Sequence, residues 1–334
     1  SDDNGRTWGP ATERETRFAD PGGTGRRHLR GGYVDQRTGR FLSLWVEGIL
    51  PTDQPLEGMR HWTIHASVSE DGGRTAKFNG PIIHKGPGYD KRHPFPDVTV
   101  GKNCIMMGDL GMRPITRSDG AILVPVQSSP IGLDGEYYCP TGAFTYLDAM
   151  LLVGRWTPDG RLEWTTSQRV KGDPARTTRG LFEPTIAPIN GDRLLMIMRG
   201  SNDGRLALPS YRWRSLSEDG GLTWTMPEPW TYTDGAVPFS PSSCSQLVSY
   251  SDGRLFWFGN LCQENAKGNL PRRPLVMTEV NLDSGCLCRD SVAVVDDQQP
   301  GENPGLFLSN FMVREDRETG RLLLHLTRMF AQQQ

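Results

Sequence analysis

Residues 217–224 read SEDGGLTW, and related eight-residue segments recur along the chain. Clear copies are SDDNGRTW at 1–8 and SEDGGRTA at 69–76, and weaker copies are TPDGRLEW at 157–164 and NLDSGCLC at 281–288. In such a segment the Asp carboxylate accepts backbone N–H groups, Gly supplies a positive φ, and Ser or Thr adds a local hydrogen bond. The pattern therefore predicts a tight turn. Because one enzyme does not need the same catalytic group five times, we interpret the repeated Asp residues as structural: Asp3, Asp71, Asp159, Asp219 and Asp283.

The turns recur at the spacing of a repeated β-sheet unit, with starts 60 to 88 residues apart. Two apolar strands joined by a Gly turn precede each later copy, as in TIAPINGDRLLMIMR at 185–199, and a third strand runs into the turn. No stretch has a sustained helical period. Repeated units of this kind predict an all-β protein, a β-propeller with four-stranded antiparallel blades.

We expect a single propeller domain over residues 1–334 with an incomplete first blade. The chain begins at a turn segment, and it ends with FLSNFMVREDRETGRLLLHLTRMF at 307–330, which fits two strands of a further unit. Two incomplete blades at the ends give six blades. If the ends complete one blade between them, the number is five.

Charge and cysteine usage exclude several classes of partner. The 37 Lys and Arg residues and 39 Asp and Glu residues are mixed along the chain, for a net charge of −2, which does not favour nucleic acid or a membrane surface. No apolar run approaches the ~20 residues of a membrane-spanning helix.

The six cysteines are irregularly spaced, so we expect no metal or cofactor. The chain lacks an initiator Met, and we expect a processed, secreted or periplasmic protein; its oligomeric state stays open.

The repeated turns and their spacing resemble the bacterial neuraminidase repeat of the sialidase superfamily, whose fold is a six-bladed β-propeller. Within this resemblance, FEPTIAPINGDRLLMIMRG at 182–200 is similar to the blade that carries a Glu and an Arg of the active site. The resemblance implies that Glu183 polarises a tyrosine nucleophile and that Arg199 is one of three arginines that bind the substrate carboxylate. It likewise makes Arg272 or Arg273, in PRRPLVMTEVNLDSG at 271–285, a second of these arginines. The structural alternatives are a Glu183–Arg199 pair without a ligand and a solvated basic loop at 272–273.

Two departures from the family pattern stand beside this resemblance. The family's nucleophilic tyrosine lies in a Tyr-Ser-Asp-Leu-like segment, and the best match here is Leu308-Ser309-Asn310-Phe311, with Leu308 at the tyrosine position. The family's first clamp arginine and its acid/base Asp precede the first repeat. Because the chain starts at that repeat, we expect these two residues either to be absent or to belong to a segment upstream of Ser1.

Three long loops hold further candidate residues, because function in propellers usually resides on connections between strands. In GRRHLRGGYVD at 25–35, Arg30 could contact an anionic sugar or belong to a solvated basic loop. YDKRHPFPDV at 89–98 offers Asp97 as an acid/base group. DGEYYCPTGAFTYLD at 134–148 offers Tyr137, or the adjacent Tyr138, as a replacement for the missing nucleophile.

Together these features predict a carbohydrate-active enzyme of the sialidase superfamily, an exo-acting glycoside hydrolase on an acidic or other non-reducing-end sugar. The expected partner is therefore a glycan. One alternative is a glycan-binding propeller without catalysis. Another is a polysaccharide lyase in which Tyr137, Tyr138 or His93 acts as the base.

Overall fold

The computed structural model describes every residue except 1, 2, 5, 11, 12, 14, 110, 191, 192, 333 and 334. Its strands form five antiparallel sheets in the described part of the chain. The first sheet contains β1 (Arg17–Asp20), β2 (Gly23–Val34), β3 (Phe41–Leu50), β4 (Thr63–Ser69) and β5 (Phe78–Pro81). The second contains β6 (Ile105–Met106), β7 (Ile115–Thr116), β8 (Ile122–Ser128), β9 (Asp148–Trp156) and β10 (Leu162–Thr166).

The remaining sheets follow in chain order. The third contains β11 (Phe182–Asn190), β12 (Arg193–Arg199), β13 (Arg212–Ser217) and β14 (Glu228–Pro229). The fourth contains β15 (Gln246–Ser249), β16 (Leu255–Asn260), β17 (Leu275–Val280) and β18 (Ala293–Asp296), and the fifth contains β19 (Met312–Glu315) and β20 (Leu322–His325). The only α-helix in the described residues is the single turn α1 (Gly58–His61).

The all-β prediction is therefore confirmed, and the four-stranded unit appears unmodified in the third and fourth sheets. The first sheet has the additional strand β1, and the innermost strand of the second is interrupted between β6 and β7. The last sheet has two strands. Among the described residues, no helix has the length and apolar character that crossing a membrane requires.

Both faces of the central sheets are buried, which explains their continuous apolar strands. Alternate residues of β12 illustrate the arrangement. Leu194, Met196 and Met198 pack in the cluster shared with the second sheet, whereas Leu195 and Ile197 pack in the cluster shared with the fourth. A third cluster joins the first and second sheets, and a fourth joins the last two. The sheets thus pack face to face in succession.

The innermost strands of the five sheets surround a common axis. Each contributes at least one side chain to the lining of a single axial cavity: Tyr33, Ile115, Ile186, Leu247 and Val313. The sheets are therefore arranged radially. Connections between strands gather at the two ends of this axis, so residues far apart in sequence meet there.

The repeated segments at 69–76, 157–164, 217–224 and 281–288 form the predicted turns before the last strand of the first four sheets, whereas the copy at 1–8 precedes β1. Asp219 accepts the Thr223 N–H at 2.9 Å and the Thr223 hydroxyl at 2.6 Å, while the Ser217 hydroxyl donates to it at 2.8 Å. Gly220 and Gly221 have φ of 71° and 91°, which the turn requires. In the weak copy at 281–288 the Asn281 side chain takes over, accepting the N–H groups of Asp283 and Ser284.

The Trp residues of these turns do not all pack alike. Trp164 and Trp224 are buried between sheets, as expected of apolar residues at the seams, but Trp8 is 74% exposed. Beside Trp8, the first turn contacts the final hairpin: Asn4 donates to Asp316 at 2.6 Å and Arg6 pairs with Glu318 at 2.8 Å. The two ends of the described chain therefore meet. Ser1, the first residue of that segment, lies outside the described residues.

Replacing Asp219 with Ala should lower the free energy of unfolding by about 1–2 kcal/mol, because Thr223 loses its acceptor. Asp283→Ala is the matched control. Among the described residues, the Asp283 carboxylate accepts one long hydrogen bond, 3.4 Å, from Asn190. The control substitution should therefore lower the free energy of unfolding by less than about 0.5 kcal/mol. Urea denaturation of both variants measures the difference. Equal losses would contradict the assigned role of Asp219.

Asp219 should also make stability depend on pH. Burial opposes its ionisation, but hydrogen bonds from Thr223 and Ser217 lower the pKa of Asp219 to about 2. Because this folded pKa lies below the unfolded value of about 3.9, the stabilisation is complete above about pH 4 and is lost as the pH falls through 2. The stability difference between the wild-type protein and Asp219→Ala should therefore shrink over that interval. A difference that stays constant would rule out this contribution.

Candidate functional site

The candidate site lies at one level of the axis, where several innermost strands lose regular pairing. The register of β2 against β3 shifts between Leu29 and Gly31, next to Arg30. The register of β11 against β12 shifts between Phe182 and Thr185, next to Glu183. In the second sheet, residues 107–114 separate β6 from β7 while β8 continues. Such irregularities redirect side chains that would otherwise alternate between the faces of a sheet.

Glu183 and Arg199 form a buried ion pair at the centre of this level. Arg199 Nη1 lies 2.8 Å from Glu183 Oε2, and the two side chains are 9% and 14% exposed. Glu183 has φ of 47°, an unfavourable conformation for a non-glycine residue, and its N–H donates to Gln127 Oε1 at 2.7 Å. A strained residue held by a neighbouring sheet is a common feature of functional sites.

The remaining nitrogens of Arg199 are also bound by the protein. Nε donates to Ser242 Oγ at 2.9 Å and Nη2 donates to Asn269 Oδ1 at 3.0 Å, both from the fourth repeat unit. The guanidinium also lies 4.6 Å from the centre of the Phe182 ring. Arg199 is therefore fixed in position and in turn fixes the Glu183 carboxylate.

The surrounding arginines keep Glu183 ionised. Burial favours the neutral acid, but the charges of Arg199 and Arg179, together with the Arg199 hydrogen bond, lower the pKa of Glu183. Arg272 contributes in the same direction. At neutral pH the site thus holds a buried carboxylate rather than a carboxylic acid.

The structure separates the two adjacent arginines that the sequence left as alternatives. Arg272 points to the site, where Nη1 donates to Ser309 Oγ at 3.1 Å and Nε donates to the Asn269 carbonyl at 3.2 Å. Arg273 points elsewhere. Its Nη1 lies 3.8 Å from Asp297, at a separate surface cavity of about 910 Å³.

Arg30 also belongs to the site, together with a carboxylate that the sequence analysis did not select. Arg30 Nε donates to the Met107 carbonyl at 3.1 Å. Burial lowers the pKa of Arg30, and the negative charges of Asp109 and Glu183 oppose that effect. Burial and the same two carboxylates raise the pKa of the Cys244 thiol to about 12. Asp109 therefore lies beside Arg30 and Cys244, on the segment that interrupts the second sheet.

Two further buried arginines, Arg179 and Arg212, complete the cluster. The Arg179 guanidinium lies 3.9 Å from the Phe144 ring centre and 4.7 Å from that of Phe182, and it donates to Thr145 Oγ1. Arg212 donates from Nε to Ser240 Oγ at 3.0 Å, while its Nη1 has no hydrogen-bond partner among the described residues. Burial first and the nearby positive charge of Arg199 second lower the pKa of both guanidinium groups.

The cluster therefore carries more positive than negative charge. Five arginines lie near three carboxylates in the described part of the chain: Arg30, Arg179, Arg199, Arg212 and Arg272 with Asp109, Glu183 and Asp203. Because buried charge that is not compensated is costly, this excess favours an anionic ligand. Among the described residues, no group of three His, Cys, Asp or Glu side chains could hold a metal ion.

Asp97 lies apart from this cluster, whereas Tyr137 lies at its edge, close enough to Arg179 to influence the pKa of that arginine. The Tyr137 hydroxyl accepts the Tyr146 N–H at 2.6 Å, and burial raises the pKa of Tyr137 well above its ordinary value. Asp97 is exposed at a cavity of about 500 Å³ that Arg169 and Trp224 also line. Neither residue contacts Glu183 or an arginine of the cluster in the contacts of the described residues.

The segment 308–311, which best matches the family's tyrosine segment, approaches the site through Ser309 and Asn310 rather than through Leu308. Leu308 is fully buried in the core between the fourth and fifth sheets. Ser309 binds Arg272, and Asn310, which is exposed, donates its N–H to Cys244 Sγ at 2.9 Å. The segment therefore brings the polar side chains of Ser309 and Asn310 to the site, whereas Leu308 packs in the core.

The sequence of the chain matches a known protein family. The pattern of the BNR repeat-like domain matches residues 97–302, which is more than half of the chain. The chain belongs to this family. No curated protein matches the BNR repeat-like chain in sequence.

Solved sialidase structures share the fold of this BNR repeat-like protein. The NanB sialidase from Streptococcus pneumoniae has a TM-score of 0.61 at 10% identity, over 98% of this chain and 59% of that one. The intramolecular trans-sialidase from Ruminococcus gnavus has a TM-score of 0.57 at 13% identity, over 99% and 83%. The Hadza microbial sialidase Hz136 has a TM-score of 0.57 at 15% identity, over 89% and 51%.

These similarities establish a sialidase-like β-propeller fold. The BNR repeat-like chain spans 51% of the length of the Hadza microbial sialidase and 59% of the length of the NanB sialidase. At such low identity the likeness concerns architecture, so the chemistry of the site has to be argued from its own residues.

Replacing Arg199 with Gln should lower the free energy of unfolding by about 3 kcal/mol, because it leaves the buried Glu183 carboxylate without its partner. Adding Glu183→Gln to that variant should restore part of the loss. Chemical denaturation of the single and double variants gives the interaction free energy between the two residues.

The matched control is Arg289→Gln, which breaks a pair of similar length, 2.7 Å to Asp234, whose side chains are 47% and 51% exposed. Its stability should remain close to wild type, because solvent screens exposed pairs. If Arg199→Gln costs no more than this control, the buried pair does not anchor the site.

Proposed function

We propose that the chain is a glycoside hydrolase of the sialidase superfamily that releases an acidic sugar from the non-reducing end of a glycan. The observation that carries this proposal is the Glu183–Arg199 pair, held at the end of the axis within an excess of arginines. The surplus of positive charge favours a substrate with a carboxylate over a neutral sugar. The sialidase-like fold adds support at the level of architecture.

In this proposal, Arg272 and Arg30 bind the substrate carboxylate. Both are less buried than Arg199. Among the described residues, Arg30 uses only Nε for a hydrogen bond to the protein. Arg272 uses Nε, Nη1 and, at a long 3.4 Å, Nη2, so each of its terminal nitrogens retains a second N–H for a ligand. The planar guanidinium suits two parallel hydrogen bonds to a carboxylate. Arg199 acts as a positioning residue, since it is buried and its charge is already paired with Glu183.

Two carboxyl groups then divide the chemistry. Glu183, whose lowered pKa keeps it ionised, stabilises the positive charge that develops on the sugar ring as the glycosidic bond breaks. Asp109, next to Arg30 and Cys244, is the general acid: it takes up one proton from solvent before each turnover and donates that proton to the leaving oxygen. Water supplies the hydroxyl group of the released sugar and returns a proton to the site.

A glycan-binding propeller without catalysis is the second candidate. The observation in its favour is that Leu308 is buried in the core and that the Tyr137 hydroxyl is held by the Tyr146 backbone. In this candidate, neither group serves as the tyrosine nucleophile of the superfamily. This candidate retains carboxylate binding by Arg272 and omits bond cleavage.

Fluorogenic 4-methylumbelliferyl glycosides of sialic acid, glucuronic acid and galactose test the proposal directly. We expect turnover of at least one acidic glycoside and none of the galactoside. Glu183→Gln should reduce kcat at least ~100-fold, because the transition state loses its stabilising charge. Arg272→Gln should mainly raise KM.

Arg273→Gln is the matched control, since the adjacent guanidinium points to Asp297 instead. It should retain wild-type kcat and KM, and thermal unfolding of every variant separates loss of folding from loss of activity. Equal turnover of the galactoside, or full activity in folded Glu183→Gln, would refute the proposal. Binding of acidic glycans to an array without any turnover, lost in Arg272→Gln, would favour the second candidate.

A further inference from the structure

A second charged region lies on the same axis, beyond the candidate glycan site. It is a cavity of about 710 Å³ lined by the innermost strands and by the turns Gln36–Arg37 and Arg117–Ser118. Arg117 Nη1 donates to the carbonyl of Gly220, in a repeated turn, at 2.8 Å. The cavity therefore lies toward the end of the axis that bears the repeated turns.

The segment 107–114 separates this cavity from the glycan site. Gly111 packs so closely on the fourth sheet that a Cβ atom there would lie 2.3 Å from the Ser245 carbonyl oxygen. Asp109 lies on the glycan-site side of this contact, whereas Arg113 lines the cavity. The axis therefore has two compartments. Asp109 of the segment 107–114 lies at the glycan site, and Arg113 of the same segment lines the second cavity.

Arg113 and Arg314 give this cavity positive charge without an acidic partner. The Arg113 side chain makes no hydrogen bond or ion pair with the described residues, and Arg314 makes one long contact, 3.4 Å, to the Asn4 carbonyl. The influences on the pKa of Arg113 are burial and Arg314, which lower it, and Tyr33, which raises it. No carboxylate is among them.

The other charged groups that line the cavity already have hydrogen-bond partners, but among the described residues only Arg117 is in an ion pair. Arg37 donates to the Ser118 carbonyl, and Arg117 forms an ion pair with Asp119. Glu315 accepts the Ser251 N–H at 2.9 Å and the Ser251 hydroxyl at 2.5 Å. The lining therefore carries the positive charges of Arg37, Arg113 and Arg314 against the single carboxylate of Glu315, inside walls that include Ile186, Leu247 and Val313. This combination stabilises the fold poorly unless an anion occupies the space.

We propose that the axial cavity is a second binding site, for a small oxyanion of the phosphate, sulfate or carboxylate type held between Arg113 and Arg314. Each guanidinium can give two parallel hydrogen bonds to such an anion. Binding removes the repulsion between the two cations and stabilises the folded state only, because the site does not exist in the unfolded chain. The site is independent of the proposed glycosidase activity.

Thermal unfolding in millimolar phosphate, sulfate or citrate, against sodium chloride at equal ionic strength, tests this proposal. We expect at least one oxyanion to raise Tm by about 2 °C or more beyond chloride. Arg113→Gln and Arg314→Gln should each abolish that increase. In chloride alone, both variants should be at least as stable as the wild-type protein, because each removes one cation from a lining with more positive than negative charge. Comparison of the three anions identifies the chemical type.

Two variants serve as controls. Arg321→Gln removes an exposed charge from the same final hairpin, and Arg272→Gln removes charge from the glycan site; both should retain the anion-dependent increase in Tm. The proposal is overturned if no oxyanion raises Tm beyond chloride. It is equally overturned if the increase survives in both Arg113→Gln and Arg314→Gln, or if Arg272→Gln alone abolishes it, because the anion would then bind elsewhere.

Discussion

The buried ion pair between Glu183 and Arg199 joins three of the five sheets at the end of the axis. The pair itself lies in the third sheet, Gln127 of the second sheet holds the Glu183 N–H, and Ser242 and Asn269 of the fourth unit hold Arg199. Each of these contacts requires the others, because a buried charge that loses its partners is strongly destabilising. The left-handed backbone of Glu183 is tolerated because these contacts determine it from several directions.

Radial packing of the sheets makes such a site possible. Continuous burial of both faces of β8 and β12 supplies rigidity, while the innermost strands can be irregular where they approach the axis. A register shift in β2 and β11, and a longer excursion in the second sheet, bring Arg30, Glu183 and Asp109 to one level. Apolar packing between the sheets therefore stabilises the protein, and the charged side chains of the candidate site lie near the axis.

Much of this architecture was predictable from the repeated turns. Their Asp, Gly and Thr residues are local devices whose contacts span four residues, so the pattern is visible in the sequence. The pairing of Glu183 with Arg199 was accessible for a similar reason, because the two belong to adjacent strands of one hairpin. Trp8 departs from the expectation, since burial of that position depends on which sheet lies next to it.

The rest of the site could not be predicted, because it is assembled across sheets. Asp109 follows a strand of two residues in a segment with no repeated pattern, and its importance arises from Arg30 and Cys244, which come from other sheets. The choice between Arg272 and Arg273 depends on the direction of each side chain, which spacing alone does not fix. Tyr137 and Asp97 lie on loops of suitable length and composition, yet the Tyr137 hydroxyl is bound to the Tyr146 backbone and Asp97 lines a separate cavity.

The central claim is that the arginines at the end of the axis recognise a carboxylate. Calorimetric titration with the methyl glycosides of sialic acid and glucuronic acid, each compared with its methyl ester, tests this claim most directly. The ester keeps the sugar ring and removes only the charge. The account predicts that at least one acid binds and that its ester binds at least ~10-fold more weakly. Equal affinities for acid and ester, or no binding of either acid, would contradict it.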